Sequence, residues 1–249
     1  MMTLSTLEKL NVESRQRDRN GERSTTLAPT AAPGLSGERA ERQGDEVNGR
    51  RGASVRRLLL DAAIRLFCRN GIGVTGIDAI VAEAGLARMT LYNHFCSKDG
   101  LVAAALEHEG AAWRAWFFAG LAQMDRGPRQ RLLGVFDLLA EWFERDDYFG
   151  CALMNAVLEA RNQDPVLLAI TVAHKKPVLE QLQALAAAAG ARHPESLAQQ
   201  IDLLMNGAIV KAVFSREAHP AMEAKRVAEA LLETAIDPKA VSLVAKAIN

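Results

Sequence analysis

Apolar residues recur at helical spacing from Ser54 onward. Val55, Leu59, Ala62, Ala63, Leu66 and Phe67 share one face of a 3.6-residue period, and Asn70-Gly71 supplies a C-terminal stop. Thr75 stands where it can cap a second helix, with Asp78 three residues on as the other half of a capping-box-like pair. Ile77, Ile80, Val81 and Ala84 form the inner stripe of that helix, and Gly85 ends it. The three-residue turn Gly85-Leu86-Ala87 then leads into a short helix from Arg88 to about His94. Two helices joined by a tight, glycine-containing turn make a helix-turn-helix.

The same period continues to the end of the chain. Ser97 is a good N-cap for a longer helix that runs past Trp113 and Phe117, with Asp99 near its positive end. After Gly127-Pro128 another helix carries Leu132, Leu133, Phe136, Leu139, Ala140 and Phe143, and Cys151–Arg161 reads as a shorter one. Asp164-Pro165, His193-Pro194 and His219-Pro220 each place proline in the first helical turn, where its missing N–H costs nothing. Asp237-Pro238 predicts a short terminal helix. No stretch alternates with period two and no internal repeat is visible, so the fold class is all-α.

Residues 1–52 differ in kind. They carry Ser, Thr, Gly, Pro, Arg and Glu with almost no periodic apolar positions, too little burial to offset the entropy of ordering. A disordered tail is expected there, with Leu4–Val12 as a transient helix. The predicted divisions are therefore a tail at 1–52, a helix-turn-helix domain at 53–100 and a larger helical domain at 101–249.

Composition sharpens this only locally. Formal net charge is zero, yet between residues 50 and 100 Arg50, Arg51, Arg56, Arg57, Arg65, Arg69, Arg88 and Lys98 outnumber Asp61, Asp78, Glu83 and Asp99. A basic zone on a neutral chain suits a module that meets a polyanion. The three cysteines, Cys68, Cys96 and Cys151, are far apart and form neither a CxxC pair nor a disulfide framework. Neither a metal site nor a cofactor is expected. No uncharged apolar run reaches the roughly 18 residues of a membrane span, and a cytoplasmic location without membrane contact is the simplest expectation.

The chemistry concentrates in Gly85-Leu86-Ala87-Arg88-Met89-Thr90-Leu91-Tyr92-Asn93-His94-Phe95-Cys96-Ser97-Lys98-Asp99. Leu91 and Phe95, one turn apart, can face a core and leave Arg88, Met89, Thr90, Asn93 and His94 on the other faces. Arg and Asn present forked groups that bond guanine and adenine edges in the major groove. Tyr92 and His94 are donors suited to phosphate, and Lys98 stands at a helix N-terminus where free N–H groups favour an anion. The bland alternative is a solvated surface helix. No paired carboxylates flank a cleft, and no nucleophile elbow or phosphate loop is present, so an enzyme is not expected.

From about Val55 to Val102 the chain resembles the DNA-binding domain of the tetracycline-repressor (TetR) family of transcriptional regulators. The matching positions are Ala62-Ala63-x-x-Leu66-Phe67, Gly71, Thr75-x-Ile77-x-x-Ile80, Ala84-Gly85-Leu86 and Thr90-Leu91-Tyr92-x-His94-Phe95-x-Ser97-Lys98. The resemblance implies a homodimeric, sequence-specific DNA-binding regulator, a repressor released from a palindromic double-stranded DNA operator by a small-molecule effector. It implies backbone contacts for Thr75 and Gly76, base or backbone contacts for Arg88, Met89, Thr90 and Asn93, and phosphate contacts for Tyr92, His94 and Lys98. Two positions depart from the family pattern. Ala87 replaces a frequent capping serine, and Asp78 stands where a basic residue is common, so that Asp78 is expected to cap its helix and repel phosphate. The competing reading is a helical adaptor that works through protein partners without DNA.

In residues 101–249 the resemblance extends only to length and helical rhythm. Trp113, Phe117, Phe136, Phe143 and Met154 are candidates to line an apolar cavity for a hydrophobic or aromatic effector, or are ordinary core. Cys151, Asn155 and Glu159 share one helical face, where they either orient a ligand or bond neighbouring helices and solvent. His174, beside Lys175 and Lys176, is a polar candidate or a surface histidine. Leu197, Ile201, Leu204, Met205, Ala208 and Ile209, then Met222, Val227, Ala230 and Leu231, mark the two late helices that the family uses for a four-helix dimer interface.

Overall fold

The computed structural model describes residues 36–236, with side chains from residue 52 onward. Outside the described residues fall most of the expected tail, including Leu4–Val12, the terminal helix after Asp237-Pro238, and the side chains of Arg50 and Arg51. Among the described residues the chain forms the helices α1 (Ser36–Asn70), α2 (Ile77–Ala84), α3 (Arg88–His94), α4 (Lys98–Gln123), α5 (Pro128–Phe143), α6 (Ala152–Glu159), α7 (Pro165–Ala188), α8 (Pro194–Ser215) and α9 (His219–Ala235). The one β-type pairing among them is an isolated bridge between Ala191 and Ile236.

Helix α1 begins at Ser36, well before the expected start at Ser54, so the boundary drawn at 52/53 falls inside a continuous helix. Periodicity marks only the part that packs: Leu59, Leu60, Ala62, Ala63 and Ile64 are buried. Extending a formed helix costs little where residues such as Ala40, Glu41, Arg42 and Gln43 favour it, and no apolar stripe is needed.

The head of the molecule is built on α1. Helices α2, α3 and α4 all pack against it, through Ile80, Leu91 and Leu101, each fully buried. Gly71 at φ +92° and Gly85 at φ +67° make the two reversals, conformations that disfavour residues with a Cβ. Ser97 caps α4 as expected, its hydroxyl accepting the Gly100 N–H at 3.1 Å. Thr75 does not cap α2. Gly76 takes that position, while the buried Thr75 turns its hydroxyl inward to donate to the Gly71 carbonyl at 2.6 Å. The hydroxyl thereby closes the glycine turn, so the expected capping box with Asp78 does not form.

Helix α4, 26 residues or about 39 Å long at the usual rise, runs from the head into the body, where it packs on α5, α6 and α7. Asp164 caps α7 by accepting the N–H groups of Val166 and Leu167 at 2.9 and 3.1 Å. Helix α7 continues through Pro177 without interruption. Helices α8 and α9 pack together, with Leu197, Ile201, Met205, Ala208 and Ile209 buried within the subunit. The outward stripe is a different one: Leu203, Gly207, Val210 and Phe214 on α8, joined by Met222 and Val227 on α9. Phe214 is 82% and Leu203 73% exposed, far more than isolated apolar residues need be. Of the two late stripes read from the sequence, most of the α8 residues are thus core, while Met222, Val227 and Ala230 face out.

Candidate nucleic-acid interface and inner cavity

Helix α3 has a buried side and a presented side. Leu91 and Phe95 fix the buried side against α1, at 0% and 5% exposure. Arg88, Met89, Tyr92 and Asn93 are exposed, Met89 by 70%, while Thr90 and His94 are half-buried. Gly76, at the start of α2, is exposed with open space around the place a Cβ would occupy. Ala87 occupies the N-cap of α3 without a side-chain bond, as its chemistry requires.

Asp78 has a partner the sequence did not suggest. Its carboxylate accepts from Nη1 of Arg88 at 3.1 Å, bridging α2 and α3 across the tight turn, and the guanidinium also lies 5.9 Å from the Tyr92 ring centre. Both members of the ion pair are exposed, so it adds little stability. Its effect is to hold a fork that would otherwise sample many rotamers. On the far side of α3, Arg56 lies over the Phe95 ring at 5.1 Å.

Lys98 is half-buried, and its ammonium donates to the Ile72 carbonyl at 2.7 Å. The opposite edge of the same loop is held from the body. Glu159, at the end of α6, accepts the Ile72 and Gly73 N–H groups at 2.9 and 2.6 Å. A Cβ added at Gly73 would lie 3.0 Å from a Glu159 oxygen, so the glycine permits this approach. The α1–α2 loop is therefore gripped by a cation from α4 on one edge and a carboxylate from α6 on the other.

In the body, α4, α5, α6, α7 and α8 line a narrow cavity of about 20 Å³, room for about one water. Trp113 forms its centre, stacked on Phe117 at 4.8 Å and edge-on to Trp142 and His174, each at 5.5 Å. His174 is 4% exposed. Its Nδ1 lies 3.0 Å from Nη1 of Arg114, and a guanidinium can only donate, so Nδ1 accepts and the ring proton rests on Nε2. Burial, with Lys175 and Arg114 nearby, lowers its pKa to about 4. Glu109 lines the cavity one turn before Trp113, and burial pushes its carboxyl pKa up.

Residues 59–105 match the family model described as bacterial regulatory proteins, tetR family. The chain is 31% identical over 99 residues to the HTH-type transcriptional repressor KstR2 of Mycobacterium tuberculosis, a stretch covering 39% of this chain and 45% of that protein. It is 30% identical over 97 residues to the HTH-type transcriptional repressor ComR of Escherichia coli, covering 39% and 46%. The chain thus spans less than half the length of these two repressors. Among solved structures, a TetR-family transcriptional regulator from Streptomyces coelicolor superposes with a TM-score of 0.68 at 27% identity, covering 74% of this chain and 97% of that one. A TetR transcriptional regulator from Chloroflexus aurantiacus gives a TM-score of 0.68 at 25% identity, covering 75% and 98%. Residues 59–105 carry the DNA-binding region of the TetR family, on a fold shared with TetR-family regulators. That family comprises transcription regulators rather than enzymes.

On this TetR scaffold the cavity residues read from the sequence are scattered. Trp113 and His174 line the cavity together. Phe117 and Phe136 are fully buried core, and Met154 packs on that core half-buried. Phe143 lies on a separate, wider cleft with Cys68, Tyr148 and Arg216. Asn155 donates to the Phe149 carbonyl at 2.9 Å, so with Glu159 it bonds its own surroundings rather than the cavity. Glu109 was not foreseen, although it is an acidic residue four positions before Trp113 on an otherwise apolar helix face. Among the described residues no helix is long and apolar enough to cross a membrane, and no cluster of three metal-binding side chains occurs.

Proposed function

We propose that this protein is a sequence-specific, DNA-binding transcriptional repressor that acts as a homodimer and is released from its operator by a small molecule bound among helices α4–α8. One observation carries the reading: α3 stands on a buried Leu91 and Phe95 and presents Arg88, Met89, Tyr92 and Asn93 outward beside the exposed Gly76. A seven-residue helix with so small a core footprint and so polar an outer face is built to enter a groove. Arg88 and Asn93 read bases, with Met89 and Thr90 beside them. Tyr92 and His94 meet phosphate, and Gly76 lets the phosphate backbone approach α2 closely. Thr75 acts indirectly, by shaping the loop that sets the angle of α2. Residues 53–100 form the DNA-binding unit and residues 101–249 the ligand-binding and dimerisation unit, with Trp113 and His174 in the ligand wall. The chemistry of the outward Leu203–Phe214 stripe fits isologous pairing of two subunits.

The test is a gel shift with DNA flanking the protein's own gene, followed by footprinting. The expected result is a palindromic site whose halves lie about 34–36 Å apart or a multiple of that. Equal affinity for this DNA and random DNA would reject the reading.

A further inference from the structure

Helix α3 meets the rest of the head along one narrow side, where Leu91 and Phe95 are buried. At 3.6 residues per turn, Met89 and Asn93 fall nearest the side opposite that pair. Arg88 and Tyr92 stand on one flank, where Asp78 of α2 holds Arg88 at 3.1 Å. Thr90 and His94, both half-buried, stand on the other. The crest of the helix is therefore one amide and one thioether.

Met89 is the odd member of this face. Its side chain is 70% exposed, and among the described residues it neither belongs to the hydrophobic core nor packs against it. Its neighbours Arg88, Tyr92 and Asn93 all carry hydrogen-bonding groups. A thioether is a weak acceptor and no donor, so a phosphate oxygen, which needs a donor, gains nothing from it. Residues on a helix crest meet the base edges at the floor of a groove, while those on the flanks meet the phosphate walls. On the floor of the major groove the apolar group is the C5-methyl of thymine, set among donors and acceptors. Methionine suits such a contact, being unbranched, polarisable and able to adjust its shape to its partner.

Asn93 points to the same type of base pair. Its amide matches N6 and N7 of adenine. The two crest residues are four positions apart, about 6 Å along the helix axis, or roughly two base-pair steps.

We propose that Met89 determines specificity by packing on the C5-methyl of a thymine in the operator's major groove, so that Met89 and Asn93 together select A·T pairs within each half-site. This rests on the reading of the chain as a sequence-specific DNA-binding regulator and names the base chemistry that α3 selects.

The test uses the full chain and the operator fragment located by gel shift. Each thymine of a half-site is replaced in turn by deoxyuridine, which pairs as thymine does and lacks only the methyl. One thymine is expected to stand out, its replacement weakening binding about fourfold for each half-site changed, the loss of one buried methyl. Met89→Ala is expected to weaken the thymine operator by at least that factor and to bind the thymine and deoxyuridine forms equally. Met89→Leu, still apolar, is expected to keep the discrimination. Since Met89 lies outside the core, both variants are expected to melt like the parent. Deoxyuridine tolerated by the parent at every thymine overturns the proposal. So does a discrimination that persists undiminished in a folded Met89→Ala variant, because the methyl is then read by another group. Selective operator binding without a methyl-sensitive thymine overturns the role of Met89 alone. Equal affinity of the parent for operator and random DNA overturns the regulator, and this assignment with it.

Discussion

Arg88 shows how much a single side chain's setting matters. The Asp78 carboxylate holds its guanidinium at 3.1 Å, and buttressing of this kind narrows the directions a fork can point. Asp78 was expected to act as a cap and a repellent; it is instead the partner of the foremost base-reading candidate. Arg88→Ala is therefore expected to lose about 1–3 kcal/mol on the operator and little on random DNA. Asp78→Ala is expected to shrink the ratio between operator and random affinity, partly by strengthening random binding. Affinities for both DNAs at fixed salt check the pair. Lys98 behaves differently because its ammonium already bonds the Ile72 carbonyl. Lys98→Ala is expected to cost about 1.5–3 kcal/mol of folding stability, read by urea melting, besides weakening both DNAs alike. His174 gives a pH signature. Its pKa falls from 6.5 in the unfolded chain to about 4 when buried, so between those values the unfolded chain binds a proton that the folded one refuses. Stability contributed this way is present above pH 6.5 and is lost as pH falls towards 4, by something on the order of 3 kcal/mol. Urea midpoints between pH 7 and pH 4.5 are expected to fall less steeply for His174→Asn than for the parent.

Among the elements, the α1–α2 loop is the place where head and body meet through directed bonds. Glu159 ends α6, and α6 begins at the cavity wall beside Cys151 and Ala152. Eight residues of helix thus separate the cavity from the loop that sets α2. Glu159→Gln keeps one acceptor oxygen but offers an amide to the other N–H, which it cannot satisfy. The expected result is faster amide exchange at Ile72 and Gly73 and weaker operator binding, with helix content unchanged by circular dichroism. Unaltered exchange at both amides would show that the carboxylate does not hold the loop in solution. Gly71→Ala meets two obstacles, a φ of +92° and a Glu159 carboxylate 3.3 Å from the new methyl, and should be the more damaging change for stability.

For the whole molecule the decisive feature is the apolar stripe outside α8 and α9. Phe214 and Leu203 are exposed apolar residues, and Gly207 between them leaves room for another helix to approach, with nothing within 4 Å of where its Cβ would sit. Leu203→Glu combined with Phe214→Glu is expected to convert the proposed dimer to a monomer, read by light scattering. It is also expected to reduce operator affinity by orders of magnitude, because one head then holds one half-site. A double variant that stays dimeric would place the interface elsewhere.

The order of elements, the all-α class and the reading head were legible in the residues, because each rests on local physics. Helical period, glycine reversals at Gly71 and Gly85, the Ser97 cap and prolines in first turns act over a few positions and are written in the chain itself. Family resemblance was legible for the same reason, since it lies in one contiguous stretch. What tertiary structure decided was every relation between distant positions. Asp78 meets Arg88 across the turn, and Glu159 reaches back 86 residues to Gly73. A hydrophobic period tells which side of a helix is apolar but not whether that side meets its own subunit, a cavity or a second chain. Leu203 and Ile201 look alike in sequence, and Trp113 and Phe117 lie one turn apart on α4. Only the packing of five helices made one of each pair core and the other surface or cavity wall.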